Sequence, residues 1–435
     1  MTPAELLDAH PHATVLTLDF FDTLVTRSVA QPTHVFAVME ERLVSSDPAR
    51  WRGFALHRVM AERRARSVMS AVDEHSDITL DDILRELAVG MCLSTAERNM
   101  LSVMEQDIEV ELARPVPFGA ELLAAATARG MKSWIVSDNY MPATHIVRMA
   151  AAAGITLDAS QVIVSCEHGA MKHDGSLWPK VLDVAGVEAG VILHVGDLHD
   201  ADGMIPARRG LTTHVNGAMR HVHREPLNTC PSVLPLSRIE AANRDHAARA
   251  VWDAVANLAR GALAMVVAGQ VMGVERIARS RPLAGVHFTS RDGYLAHQVY
   301  SSLREVDHSL PVPGYLEISR SITWRALLTE MNEDTARRFV GDDEHLSVAQ
   351  LSARFGCGLV SSHDADVVLN PEQLRRVIVE NANTVVDSCA ALRGRLMEYL
   401  DAAGATSPGH HILMDLGWSG SVVADLAQIV REERG

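Results

Sequence analysis

Four short apolar runs rich in β-branched residues, each closed by a polar residue or a glycine, constrain this chain more than any other feature. They are Thr14-Val-Leu-Thr-Leu-Asp19, Lys132-Ser-Trp-Ile-Val-Ser137, Gln161-Val-Ile-Val-Ser165 and Val191-Ile-Leu-His-Val-Gly196. Helix-period segments at 119–129, 143–153 and 178–185 separate the later runs, and Gly130, Gly154 and Gly186 stand where helix C-caps belong. This rhythm predicts a doubly wound parallel α/β sheet with helices on both faces, and a fifth strand over Leu211–Val215. Right-handed crossovers bring the C-terminal ends of such strands to one edge, where open α/β sheets bind ligands. The residues closing the strands therefore mark the candidate active site.

The stretch from about Gln31 to Pro117 breaks the rhythm with helical patterns at 34–43, 54–69, 80–87 and 96–112 and no convincing strand, so it reads as an all-helical cap. The core is then 1–30 with 118–215, and the cap is 31–117. Periodicity lapses around Pro226, Pro231 and Pro235, which predicts a linker over 216–243. A second, Rossmann-like α/β region follows over 244–435, with a long helix from about 241 to 278 and strands at 285–289, 315–318 and 411–416. The chain stops at Gly435 shortly after one more helix, so this region is expected to be incomplete, as a fragment or as a domain completed by a partner. At roughly 150 residues per domain, 435 residues allow two or three domains.

The formal charge of −15 opposes binding to nucleic acid and anionic membranes, while small anionic substrates remain allowed. The five scattered cysteines form no Cys-x-x-Cys pair and read as reduced thiols. No stretch is long and apolar enough to insert in a bilayer, and no secretory leader pattern opens the sequence, so a cytoplasmic protein is expected.

In order along successive strand ends stand Asp19-Phe-Phe-Asp-Thr23, Ser137-Asp138-Asn139, Lys172, and Gly196-Asp197 with Asp202. This set resembles the four motifs of the haloacid-dehalogenase-like (HAD) phosphohydrolases over about Ala13–Val215. The strings Asp19-Phe-Phe-Asp-Thr-Leu-Val-Thr-Arg27, Ser137-Asp-Asn-Tyr-Met-Pro142 and Ser290-Arg-Asp-Gly-Tyr294 further resemble HAD-type proteins of bacterial surface-polysaccharide gene clusters, some fused to glycosyltransferases. The resemblance implies a Mg²⁺-dependent hydrolase acting through an aspartyl phosphate on a small phosphorylated metabolite, such as a sugar phosphate or nucleotide sugar. A glycosyltransferase or other glycan-assembly partner is a further expectation.

In that reading Asp19 is the nucleophile, which divides one hard hydrolysis into two easier steps. Mg²⁺ would be held by Asp19, the Phe21 backbone carbonyl and Asp197, with Asp202 binding directly or through water. Lys172 would supply fixed positive charge, and the Thr23 and Ser137 hydroxyls would align the transferring group. Lys180 is a rival for the lysine, but Lys172-His-Asp-Gly-Ser-Leu-Trp is closer to the subgroup's Lys-x-x-Gly-x-Leu-Phe.

The sequence departs from the family at Phe21, where HAD phosphatases carry a second Asp as general acid and base. Asp22 would point to the opposite face of an extended backbone. Three possibilities stay open: slow phosphatase turnover, a substrate whose leaving group needs no proton, or a module that binds phosphate ligands without turnover. Dehalogenation through Asp19 is a further alternative.

In the second region, Asp415-Leu-Gly-Trp-Ser-Gly-Ser421 runs from a strand into a helix, and with Arg291 and Asp292 it predicts a second ligand loop through Asp415, Gly417, Ser419, Gly420 and Ser421. His199 beside Asp200, and His168 with His173, read as solvated loop residues. Arg58, Arg63, Arg64 and Arg66 read as a solvated cap-helix face or as contacts to a substrate anion. Met60, Met69, Met100 and Met104 read as packing residues.

Overall fold

The computed structural model describes residues 1–216, 229–249, 259, 263–290, 292–415 and 420–435, and divides the chain into units Met1–Met265 and Val266–Gly435. The first unit is built on strands β1 (Val15–Leu18), β4 (Lys132–Ser137), β5 (Val162–Val164), β6 (Ile192–Gly196) and β7 (Thr212–Val215). They lie in the order β5-β4-β1-β6-β7, and every adjacent pair is parallel. Reversal of strand order beside β1 makes its C-terminal end the switch point of the sheet. Leu18 pairs with Ile135 on one side and Val195 on the other, which places Asp19 between the ends of β4 and β6.

Strands β1, β5 and β6 are buried along their whole length, as continuous apolar runs require. Leu16 and Leu18 pack on one side with Leu122, Ile146 and Met149, while Val15 packs on the other with Val136, Trp178 and Val181. Gly154 and Gly186 adopt φ of 77° and 66° just after their helices, a left-handed conformation that a Cβ disfavours.

The insertion is helical as expected, over His34–Ser46, Pro48–Trp51, Phe54–Val72, Leu80–Met91 and Thr95–Leu112. Capping boxes at Thr79/Asp82 and Ser94/Glu97 fix two of these starts. The cap also has a strand that sequence reading missed. β2 (Val25–Arg27) pairs antiparallel with β3 (Ala113–Pro115), forming a stem where chain enters and leaves the cap. Three residues ending in a proline show too little alternation to register as a strand.

Arg58 corrects the expectation of a solvated arginine face. It is fully buried, with its guanidinium 2.6 and 2.8 Å from the Glu105 carboxylate and 4.3 Å from the Phe36 ring centroid. Arg66 instead joins Glu62 and Asp77, and Arg64 lies near Glu86. Met69 and Met104 pack on the cap core, whereas Met60 and Met100 are partly exposed at the surface.

The predicted linker is corrected as well. Within it, Pro231–Val233 forms a 3-10 turn and Leu234–Arg249 a helix, because proline is tolerated in a first helical turn. Leu234 enters the cap core, and the Ser237 hydroxyl accepts from the Ala30 amide at 2.8 Å. The predicted long helix is seen as Leu234–Arg249 and Ala264–Ser280, with 250–258 and 260–262 outside the described residues. The division between units falls at 265/266, beyond the boundary near 244 read from the sequence.

The second unit holds a parallel sheet β12-β8-β9, from β8 (Gly285–Thr289), β9 (Pro313–Leu316) and β12 (His411–Met414). A helical group carrying the short antiparallel pair β10 (Leu346–Ser347) and β11 (Val368–Leu369) has its own core. Among the described residues no helix is long and apolar enough to cross a membrane.

Candidate active site

After β1 the chain turns sharply: the amides of Leu24 and Val25 both donate to the Phe20 carbonyl, at 2.9 Å each. The turn returns Thr23 to the strand end, where its hydroxyl lies 3.4 Å from Asp19 Oδ2. The helix Pro117–Ala128 packs directly on this turn, since a Cβ on Gly119 would stand 2.0 Å from the Thr23 carbonyl oxygen.

Around Asp19 the sheet edge gathers side chains that lie far apart in sequence. Lys172 Nζ donates to Asp19 Oδ1 at 2.5 Å and lies 2.7 Å from Asp202 Oδ1. One oxygen from each of Asp19, Asp197 and Asp202 lies within 4.8 Å of the others. All three are buried, Asp19 and Asp197 keeping 7% and 8% exposure and so a narrow contact with solvent. Ser137, closing β4, is also buried. Sequence reasoning named each of these residues, and the fold brings them to one edge.

Three supports were not foreseen. Asp138 accepts from the Lys172 amide at 2.5 Å and the His173 amide at 3.0 Å, and so holds the loop carrying Lys172. His194 bridges the Thr17 hydroxyl at 2.9 Å and Asp202 at 3.2 Å, with Trp178 packed edge-on at 4.7 Å. Gly196 leaves room for the Asp202 carboxyl group beside β6. The sequence signal for Asp138 was its place directly after a strand end, whereas His194 looked like an ordinary strand residue.

Three buried carboxylates face one ammonium, and their proton affinities separate accordingly. Burial would lower Lys172, but Asp19 and Asp202 outweigh it and hold the ammonium above its ordinary value. Burial raises Asp202, yet Lys172 and His194 outweigh it and keep the carboxylate well below the usual range. Burial, then repulsion from Asp202 and Asp22, pushes Asp197 up to about 6. Asp19 is raised by burial and by Asp202 and Asp197, against the pull of Lys172. Three carboxylates whose oxygens lie within 4.8 Å of one another offer hard oxygen donors, and a divalent cation among them would relieve the mutual repulsion that, after burial, raises Asp19 and Asp197, so the site fits such an ion.

Phe21 is clamped. The Arg27 guanidinium lies 3.8 Å from its ring centroid and forms a fork to Glu109 at 2.7 and 2.9 Å. The extended backbone assumed for Asp22 is corrected: its φ is 55°, in the left-handed region that Asp tolerates better than most residues. Its carboxylate accepts from the Thr26 hydroxyl at 2.6 Å and lies near enough to Asp197 to raise it.

The loop between two cap helices closes on the core beside this edge. His75 Nδ1 lies 2.7 Å from Asp174, and Asp77 accepts from Ser165 Oγ at 2.6 Å and from Arg66 at 2.8 Å. Ser165 Oγ in turn accepts from the Asn139 amide at 2.8 Å, and the Leu80 amide donates to the Tyr140 carbonyl at 3.0 Å.

Lys180 points elsewhere, donating to the His168 carbonyl. His199 is exposed against Asp200, and His173 lies on Asp138. Of the second predicted loop, Asp292 and Asp415 follow the adjacent parallel strands β8 and β12, and Gly420 precedes the helix Ser421–Arg434. Arg291, Gly417 and Ser419 lie outside the described residues.

No family model and no curated protein matches the sequence. Similar solved structures include an L-2-haloacid dehalogenase from Xanthobacter autotrophicus with chloropropionic acid covalently bound, 18% identical with a TM-score of 0.33, covering 46% of this chain and 76% of that one. A 2-haloacid dehalogenase from Pseudomonas syringae is 15% identical with a TM-score of 0.34, covering 51% of this chain and 96% of that one.

Proposed function

We propose that this chain is a HAD-type phosphohydrolase acting in the cytoplasm on a small phosphorylated metabolite. The sequence resemblance suggests a sugar phosphate or nucleotide-sugar intermediate of surface-polysaccharide synthesis. The convergence of Asp19, Asp197 and Asp202 about Lys172 carries the reading.

An Asp19 carboxylate oxygen would attack phosphorus while the bond to the leaving oxygen breaks, and water would then attack the aspartyl phosphate to release inorganic phosphate and restore Asp19. Lys172 holds Asp19 oriented and offers charge to the phosphoryl oxygens, with the Thr23 and Ser137 hydroxyls at the same edge. Asp19, Asp197 and the Phe21 carbonyl, with Asp202 directly or through water, would hold Mg²⁺. When bound, that ion supplies the positive charge that lets a carboxylate and a phosphoryl group approach.

Phe21 gives the leaving group no proton, which favours substrates with good leaving groups or a slow turnover. The same residue favours a second reading, a module that binds phosphate ligands without turning them over and scaffolds glycan assembly. Halide displacement by Asp19 also needs no leaving-group proton, and a neighbouring carboxylate could activate the water that hydrolyses the resulting ester, but that chemistry requires neither a divalent cation nor the extra domain. Phosphate release from a panel of sugar phosphates, with and without Mg²⁺, beside halide release from 2-haloacids, decides among them. Mg²⁺-dependent release abolished by Asp19→Asn supports hydrolysis, release that survives the substitution refutes the covalent route, and binding without release supports the module.

A further inference from the structure

Apart from the carboxylate edge, the second unit contains two adjoining cavities of about 640 and 370 Å³ that share Trp324, Arg338 and Phe339. Both volumes suit a small organic ligand. We infer that these joined cavities form a nucleoside diphosphate site, with Trp324 under the base and Arg320 and Arg338 on the phosphates.

Among the described residues, the guanidinium groups of Arg320 and Arg338 have neither an ion-pair nor a hydrogen-bond partner, although both line the smaller cavity. Two unneutralised guanidinium groups facing one cavity repel each other, and a phosphate or pyrophosphate accepted by both removes that repulsion. Their setting is cationic in a chain of net charge −15. Arg325 and Arg354 complete the wall but are engaged. Arg325 donates to the Arg354 carbonyl at 2.7 Å, and Arg354 pairs with Glu344 at 2.5 Å.

An anion alone does not account for the rest of the lining. Trp324 is 42% exposed and packs edge-on against Phe339, at 6.2 Å and 78°, a support that leaves the indole able to stack a planar ring. The larger cavity adds Glu330 and Asp425, carboxylates that repel phosphate and accept from hydroxyl groups. Asp425 is held by the Thr323 hydroxyl at 2.7 Å. A ring platform, hydroxyl acceptors and free guanidinium groups together match base, ribose and diphosphate. The cavity walls come from Arg320–Ala326, which follows β9, from Glu333–Phe339, and from Ser421–Arg434, which follows β12, so the site belongs to the carboxyl edge of the second sheet.

The test is isothermal titration calorimetry of ADP, GDP, CDP and UDP into the full chain carrying Asp19→Asn, so that no ligand is consumed elsewhere. We expect saturable binding of at least one of them with a Kd under about 1 mM. That affinity should fall at least about tenfold in Arg338→Ala and in Trp324→Ala, and inorganic pyrophosphate should bind at least about tenfold more weakly than the nucleotide. Circular dichroism of each variant, with Arg320→Gln as an alternative arginine probe, separates loss of binding from loss of fold. Absence of binding by all four nucleotides, binding indifferent to these side chains, or pyrophosphate binding as tightly as the nucleotide each overturns the assignment.

Discussion

The carboxyl carbon of Asp202 stands 2.1 Å from the point that a Cβ on Gly196 would occupy. The strand that ends at the site thus leaves its last position bare so that a carboxylate from the following turn can reach Lys172. Gly196→Ala is expected to displace Asp202 and cost about 1–3 kcal/mol of stability through overpacking. Phosphate release should fall about 100-fold, since a shift of about 1 Å in a positioned group has that effect. Steady-state rates beside thermal denaturation check it, and a variant with unchanged rates would show that Asp202 is not needed where it stands.

Cation binding is expected to stabilise the first unit through the same carboxylates. At a Mg²⁺ concentration about 100 times its Kd the gain is about 2.7 kcal/mol, read as a rise in Tm. Asp197→Asn should remove most of that rise. An equal rise in the variant would place the bound ion elsewhere.

In the cap, Arg58 and Glu105 form a buried pair that Tyr140 completes by donating to Glu105 at 3.0 Å. Arg58→Met leaves a buried carboxylate uncompensated, at a cost of about 3–5 kcal/mol. The double variant Arg58→Met, Glu105→Leu should recover most of the loss. Urea denaturation of the two single variants and the double variant measures the coupling, and additive losses would contradict it.

Acid stability should depend on His145, whose ring nitrogens are buried without hydrogen-bond partners, so that burial pushes its pKa down to about 4. Unfolded, the ring binds a proton below its ordinary value of 6.5, and folded it does so only near 4. The unfolded chain therefore holds more protons in that window, and this contribution, fully present above pH 6.5, is lost as pH falls towards 4. Its size is about 3 kcal/mol. Burial lowers His34 as well, with the same sign. His145→Leu should flatten the stability profile between pH 6.5 and 4, and an unchanged slope would assign the acid sensitivity to other groups.

Closure of the cap should depend on Asp77, which ties Arg66 and Ser165 together. In Asp77→Ala, amide hydrogen exchange is expected to quicken across residues 73–80 and leave the second unit unaffected. Protection identical to the parent chain would mean that the closed loop is held by other contacts.

Much of the site was legible because strand-end residues of a parallel sheet share an edge whatever the intervening chain does. Asp19, Ser137 and Asp197 needed only the strand pattern and its handed crossovers, whereas Lys172, in a loop beyond β5, was distinguished from Lys180 by the resemblance of the residues that follow it. Arg58 was misread because its helix carries several arginines, and sequence does not show that Glu105 faces one of them. Leu234–Arg249 was misread because its prolines suggest a turn, while Leu234 and Ser237 reveal their roles only against the cap.

By itself the sequence determined the strand and helix order and the acidic residues that close the strands, since period, glycine placement and local polarity are written along the chain. Only the tertiary structure decided that His194 braces Asp202, that Arg27 covers Phe21, and that Arg320 and Arg338 share a cavity with Trp324. Those relationships depend on burial and on distances between remote segments, which no local pattern encodes.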